Sequence, residues 1–255
     1  MPTWLAAGLW GLLGGAALVV GALIAWFVRV PPTVIASVMA FGSGVLISAV
    51  AFDLMAEAAD TGGLTATAIG FVAGALAYLA ANAVLARHGA RHRKRSGNDP
   101  DEDQPSEQEQ SGSGAAIAIG ALLDGIPESV VLGLSLLSGG GVSASVLAAV
   151  FISNVPEGLS SAAGMKNNKR SARYVFGVWV GIAVVSGLAA LIGYAALGGA
   201  PPEAVAVITA VAAGAILTMI ADTMIPEAFE RTRTWTGVIA TLGFLVAFAV
   251  DRAGG

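Results

Sequence analysis

Asp124-Gly125-Ile126-Pro127-Glu128-Ser129 is answered 29 residues later by Ser153-Asn154-Val155-Pro156-Glu157-Gly158. Each stretch lies inside an apolar segment long enough to cross a membrane. Each sets a proline beside a glutamate, where lipid disfavours both. Asp124 and Glu128 are four apart and so share one helix face, as do Ser153 and Glu157, with Asn154 beside them. If the two helices meet at this level, three carboxylates, a hydroxyl and an amide share one small volume. An isolated carboxylate at mid-membrane costs about 2.5–3.5 kcal/mol, and several together also repel. A metal cation, protons, or both would offset that cost. Pro127 cannot donate to the carbonyl of Leu123, nor Pro156 to that of Ile152. The freed oxygens add to an all-oxygen donor set, which suits Mn²⁺ or Mg²⁺ and is tolerated by Zn²⁺ and Fe²⁺.

Working outward, the 255 residues are 56% hydrophobic and only 12% charged, about half the charged share of a soluble domain. With 34 glycines this is the composition of a polytopic membrane protein whose partner is the lipid bilayer. The absence of cysteine excludes disulfides and thiolate metal sites. Met1 to Val28 is apolar without a basic leader or a small-residue cleavage site, and reads as a retained span. No phosphate loop, nucleophile–base pair or nucleic-acid module is present, so neither an enzyme nor a nucleic-acid partner is expected.

Eight segments reach the roughly 20 residues that a spanning helix needs: 4–28, 34–57, 64–86, 115–137, 143–165, 172–197, 203–227 and 235–251. The expected fold is an all-α bundle of eight transmembrane helices in a 3+2+3 arrangement. It divides as 1–86 (helices one to three), 87–114 (a disordered polar loop), 115–165 (helices four and five with the metal site) and 166–255 (helices six to eight). The loop opens basic, carries His88 and His92, then turns acidic. Those two histidines read as part of a solvated basic flank. All of the Lys and Arg except Arg252 fall in the odd-numbered connections. The positive-inside rule therefore puts both termini outside and the 87–114 loop in the cytoplasm, in a bacterial or archaeal plasma membrane.

The chain also repeats itself. Gly44 to Ala58 aligns with Gly214 to Ala228, and Gly70-Phe71 in the following span aligns with Gly243-Phe244. Span two starts inside and span seven outside, so the copies are inverted, a pattern common among secondary transporters. Asp53 and Asp222 occupy nearby places in the copies. Together with Ser186 they are candidates to support the ligands or relay protons.

These motifs resemble the ZIP family of divalent metal transporters. The likeness rests on eight spans with outside termini, a long cytoplasmic loop after span three, and Pro-Glu motifs in spans four and five. It extends to Gly44-Val-Leu-Ile-Ser-Ala in span two and to Ala213-Gly-Ala-Ile-Leu with Ile225-Pro226-Glu227 in span seven. The family's span four reads His-Asn-x-Pro-Glu-Gly. Here Asp124 stands in the histidine's place, Gly125 in that of the asparagine and Ser129 in that of the glycine. Span six often has Glu-Pro, where this chain has Ser186-Gly187.

The resemblance implies that Asp124, Glu128 and Glu157 form a primary metal site, with Ser153 and Asn154 beside it. An adjacent second site would need the positions held here by Gly125, Asn154 and Ser186, and is expected to be weak or absent. Loss of imidazole lowers the preference for Zn²⁺ and leaves Mn²⁺, Zn²⁺, Fe²⁺, Cd²⁺ and Co²⁺ as substrate candidates. The resemblance further implies an elevator mechanism. Spans one, four, five and six slide against two, three, seven and eight, uptake runs toward the cytoplasm, and the protein is a homodimer. Protons are expected coupling ions, because binding them relieves repulsion among crowded carboxylates. The other readings are a metal exporter, or a non-transporting sensor or scaffold with a degraded site.

Overall fold

A computed structural model describes residues 2–85, 87, 113–137 and 144–254. The described residues are helical almost throughout, as an apolar chain must be if its backbone is to satisfy itself without water. The helices are α1 (Thr3–Phe27), α2 (Pro32–Ala49), α3 (Ala56–Leu85), α4 (Ser113–Leu134), α5 (Ala144–Asn167), α6 (Ala172–Leu197), α7 (Pro202–Met219), α8 (Ile225–Thr232) and α9 (Trp235–Gly254). Proline opens α2 and α7, where its missing N–H has no intrahelical acceptor to satisfy. Ser171 caps α6 by accepting from the Tyr174 N–H at 3.3 Å.

Six helical segments among the described residues are long and apolar enough to cross a membrane. One of them, Pro32–Leu85, runs for 54 residues and holds two of the expected spans. It breaks at Gly63, whose φ of 76° and ψ of 157° belong to no helix and suit only glycine. Two expected boundaries move. Ser113 and Gly114 belong to α4 rather than to the loop, and α4 ends at Leu134, with 135–137 forming a turn. The 88–112 part of the expected loop, with His88 and His92, lies outside the described residues.

The sequence repeat has a structural counterpart. A π-helical segment, Val50–Met55, joins α2 to α3, and a second, Ile220–Met224, joins α7 to α8. The two begin at positions paired by the Gly44–Gly214 alignment. Such wide turns are rare and gather at functional places.

Packing follows one recipe, used four times. A glycine on each of two helices faces a carbonyl on the other, three residues before its partner glycine. An added Cβ on Gly21 would overlap the Val155 carbonyl, and one on Gly158 the Leu18 carbonyl, pairing α1 with α5. Gly44 and Gly243 meet the carbonyls of Ala240 and Phe41, pairing α2 with α9. Gly74 and Gly214 meet those of Val211 and Phe71, pairing α3 with α7. Gly133 meets the Ala190 carbonyl and joins α4 to α6, but its counterpart Gly193 stands off, with the Val130 carbonyl 3.8 Å from the added Cβ. Small residues of this kind let backbones come close enough for Cα–H to meet carbonyl oxygen. The contacts also correct the repeat register, since Gly74, not Gly70, occupies the place that Gly243 holds in the other copy.

Two large apolar clusters form most of the core among the described residues, beside a small one of Ala58, Ala206 and Ala210. One gathers Met39 to Leu54 of α2 and its π segment, Val131 and Leu132 of α4, Val146 to Val150 of α5, and Ala212 to Met224 around α7. The other gathers Leu18 to Ala25 of α1, Ala121 of α4, Leu159 to Met165 of α5, and Val175 to Ile182 of α6. Along α4 the order is second cluster, then Asp124 to Glu128, then first cluster. Along α5 it is first cluster, then Ser153 to Glu157, then second cluster. The two helices thus run opposite ways through the core, and both polar motifs sit at the seam between the clusters.

Candidate cation site

At that seam the polar side chains are shut away from the surface. Asp124 and Glu128 are each 1% exposed and Glu157 3%, and Ser153, Asn154 and Ser186 are buried too. Pro127 and Pro156 lie inside continuous helices. They are tolerated because the loss of one donor frees a carbonyl without ending the helix. The carbonyl freed by Pro156, that of Ile152, faces Gly42 of α2, where an added Cβ would stand 3.4 Å away. The neighbouring Ser153 Cα would be 3.1 Å from that same Cβ. An alanine at this position would press on the Ser153 backbone and touch this oxygen at ordinary contact distance.

Each side chain has a distinct setting. The Tyr78 hydroxyl on α3 donates to Asp124 Oδ1 at 2.5 Å. Ser153 Oγ donates to the Val150 carbonyl of its own helix at 3.0 Å, and Ser129 Oγ to the Gly125 carbonyl at 2.7 Å. Asn154 Nδ2 donates to the Gly14 carbonyl of α1 at 3.1 Å and so ties α5 to α1. Ser186 Oγ lies 3.6 Å from where a Gly125 Cβ would be and 3.2 Å from where a Gly15 Cβ would be. Gly125, Asn154 and Ser186 therefore converge on Gly14 and Gly15 of α1. They bring one amide already engaged, one hydroxyl and no third side chain.

The motif helices do not form a tight pair. α5 packs chiefly on α1 and α2, while α4 packs on α6, α1 and α7, and the two touch each other little. Among the described residues, no three His, Asp or Glu side chains stand in a group fit to hold a metal ion. In this conformation the donors are gathered at one level but not closed into a chelate of three carboxylates. Asp53 is half-buried in the first π segment and Asp222 is exposed in the second, so neither is buried with the motif carboxylates.

Cavities flank the seam. A cavity of about 100 Å³ is lined by Asp53, Glu57, Val131, Ser135 and Thr209 on the side of the first cluster, next to another of about 320 Å³ that shares Glu57 and Thr209. On the side of the second cluster, one of about 510 Å³ is lined by Arg29, Lys166 and Asn167 among apolar residues. Lys166 there closes the C-terminus of α1, donating to the carbonyls of Ala25 (3.3 Å) and Trp26 (2.7 Å) with its charge over the Trp26 ring.

Sequence reasoning missed Tyr78. Its signal was present: one of only three tyrosines, placed mid-span, where a hydroxyl needs a partner. What it bonds is set by the packing of α3 against α4, which no local pattern encodes. The chain was compared with known protein families and with curated proteins, and it matches none of them.

Proposed function

We propose that the chain is a ZIP-like secondary transporter of divalent metal cations, with Asp124, Glu128 and Glu157 as the charged ligands and Ser153 as a neutral one. One observation carries this reading. Two antiparallel helices, each with an internal proline, bury three carboxylates at the same seam between two apolar clusters. Burial of that much negative charge is costly without a cation. The cation is the substrate, delivered to the seam from one flanking cavity and released to the other.

Reading the break at Gly63 as a reversal and α4 as a further span gives eight crossings. The close glycine pairs then favour an elevator. α1 with α5 and α4 with α6 fall within one set of helices, and α2 with α9 and α3 with α7 within the other, so no glycine pair bridges the two sets. Sets whose paired close backbone contacts are all internal, with the single approach of Gly42 on α2 to the α5 backbone lying between them, can slide as units. The 3+2+3 order and the inverted repeat fit this grouping, and the π segments would mark equivalent places in the scaffold halves. Inward transport and a proton-coupled cycle belong to the same reading.

The test is uptake of Mn²⁺, Zn²⁺, Fe²⁺, Cd²⁺, Co²⁺ and Mg²⁺ into proteoliposomes, run beside Glu157→Gln. Flux that vanishes in the variant supports transport through this site. Absence of flux for every metal, with the protein folded, overturns it in favour of a sensor or scaffold. That second reading draws on the engaged Asn154 amide and the bare Gly125.

A further inference from the structure

The hydrogen bond from Tyr78 to Asp124 does something that the other interhelical bonds described above do not. Asn154 and Lys166 both bond to α1, a helix of the same set as their own α5. Tyr78 belongs to α3 and Asp124 to α4, so their bond spans the two sets. Both ends are buried, Tyr78 at 2% exposure and Asp124 at 1%. Tyr78 lies one turn beyond Gly74 on the same face of α3, and Gly74 seats against the Val211 carbonyl of α7 in one of the closest helix contacts of the molecule. The phenol is therefore mounted on the firmest part of one set. Asp124 is carried by α4, whose contact with α6 is slack at Gly193.

We infer that Tyr78 is a positioning residue: it holds one oxygen of Asp124 and latches α4 to the scaffold in this conformation. This rests on the transport reading for its effect on metal, but not for its effect on conformation. A phenol that donates to a carboxylate takes part of the charge a cation would use. It also fixes the orientation of the carboxylate. Asp124 in this state is a weaker ligand than a bare aspartate, which favours release as much as capture. Sliding of the two sets carries Asp124 away from Tyr78, so the bond breaks in each cycle and sets part of the balance between the two states.

The chain has no cysteine, so a single Ser135→Cys reporter at the cavity end of α4 can follow that helix in the full-length protein. In Tyr78→Phe the ring stays and the bond is lost. The expected result is a change of at least threefold in the labelling rate of the reporter by a water-soluble maleimide, without metal. In Ser135→Cys proteoliposomes, Tyr78→Phe should lower the KM for Cd²⁺ three- to tenfold and should not raise Vmax. Asp124→Ala removes the same bond from the other side and should give the same labelling change, and the double variant no more than either alone. That second route keeps the test alive if either variant fails to fold. Labelling within twofold of the parent in the folded variants overturns the latch. Labelling that shifts while KM stays put overturns the ligand-positioning half. A parent protein that moves no metal but labels as described would sink the transport reading and leave the latch standing.

Discussion

The α3:α7 and α4:α6 pairs are built to one plan and finished differently. In α3:α7 both glycines, Gly74 and Gly214, are pressed to carbonyls of the partner. In α4:α6 only Gly133 is, and Gly193 has room for a methyl group at ordinary contact distance. The firm pair carries Tyr78 and no motif carboxylate. The slack pair carries Asp124 and Glu128. The slack does not follow the motif carboxylates as such, since α5, which carries Ser153 and Glu157, is seated firmly on α1 through Gly158 and Gly21.

The difference can be broken from the firm side first. Gly214→Leu drives a side chain into the Phe71 carbonyl and should leave no folded protein by size-exclusion chromatography; a stable, monodisperse variant would show that the contact is not needed. Next in size, Glu128→Gln should cut metal uptake at least tenfold while the thermal midpoint holds or rises, since the buried charge is removed and the packing kept. A fall in that midpoint would make Glu128 structural. Gly74→Ala should then cost about 1–3 kcal/mol by overpacking, read from thermal or denaturant unfolding in detergent. The smallest effect belongs to Gly193→Ala, within about 0.5 kcal/mol of the parent. If it instead costs as much as Gly74→Ala, the two pairs do not differ and the argument from slack fails.

Much of this could be read from residues alone. The i, i+4 spacing of Asp124 with Glu128 and of Ser153 with Glu157 set each motif on one face, and all four side chains are buried at the seam. The Gly44–Gly214 alignment found the repeat, and both π segments start at its paired positions. What failed were relations across space. Gly70-Phe71 and Gly243-Phe244 look alike as letters, yet Gly74 is the residue seated like Gly243. In a chain with 34 glycines, many registers match by chance, and only the facing carbonyl chooses. In the same way, spacing placed the motifs at one level but could not show that α4 and α5 each lean on α1 rather than on each other. Nor could it show that a tyrosine from α3 would reach Asp124.

The two π segments carry one consequence of their own, which concerns phase. Each winds its turn with an extra residue, so everything after it is rotated relative to the helix before it. Ala58 and Ala228, the residues that follow at equivalent places, are buried at 1% and 0%. Deleting one residue from either segment would restore ordinary winding and leave the chain beyond it in the phase it now has, because the wide turn takes up that one residue. Forcing ordinary winding with every residue kept would instead turn Ala58 or Ala228 off the interior by about 100° and carry Glu57 or Glu227 with it. The wide turn is thus a setting of angle made once in each copy, and it determines which side of α3 and α8 faces the rest of the molecule.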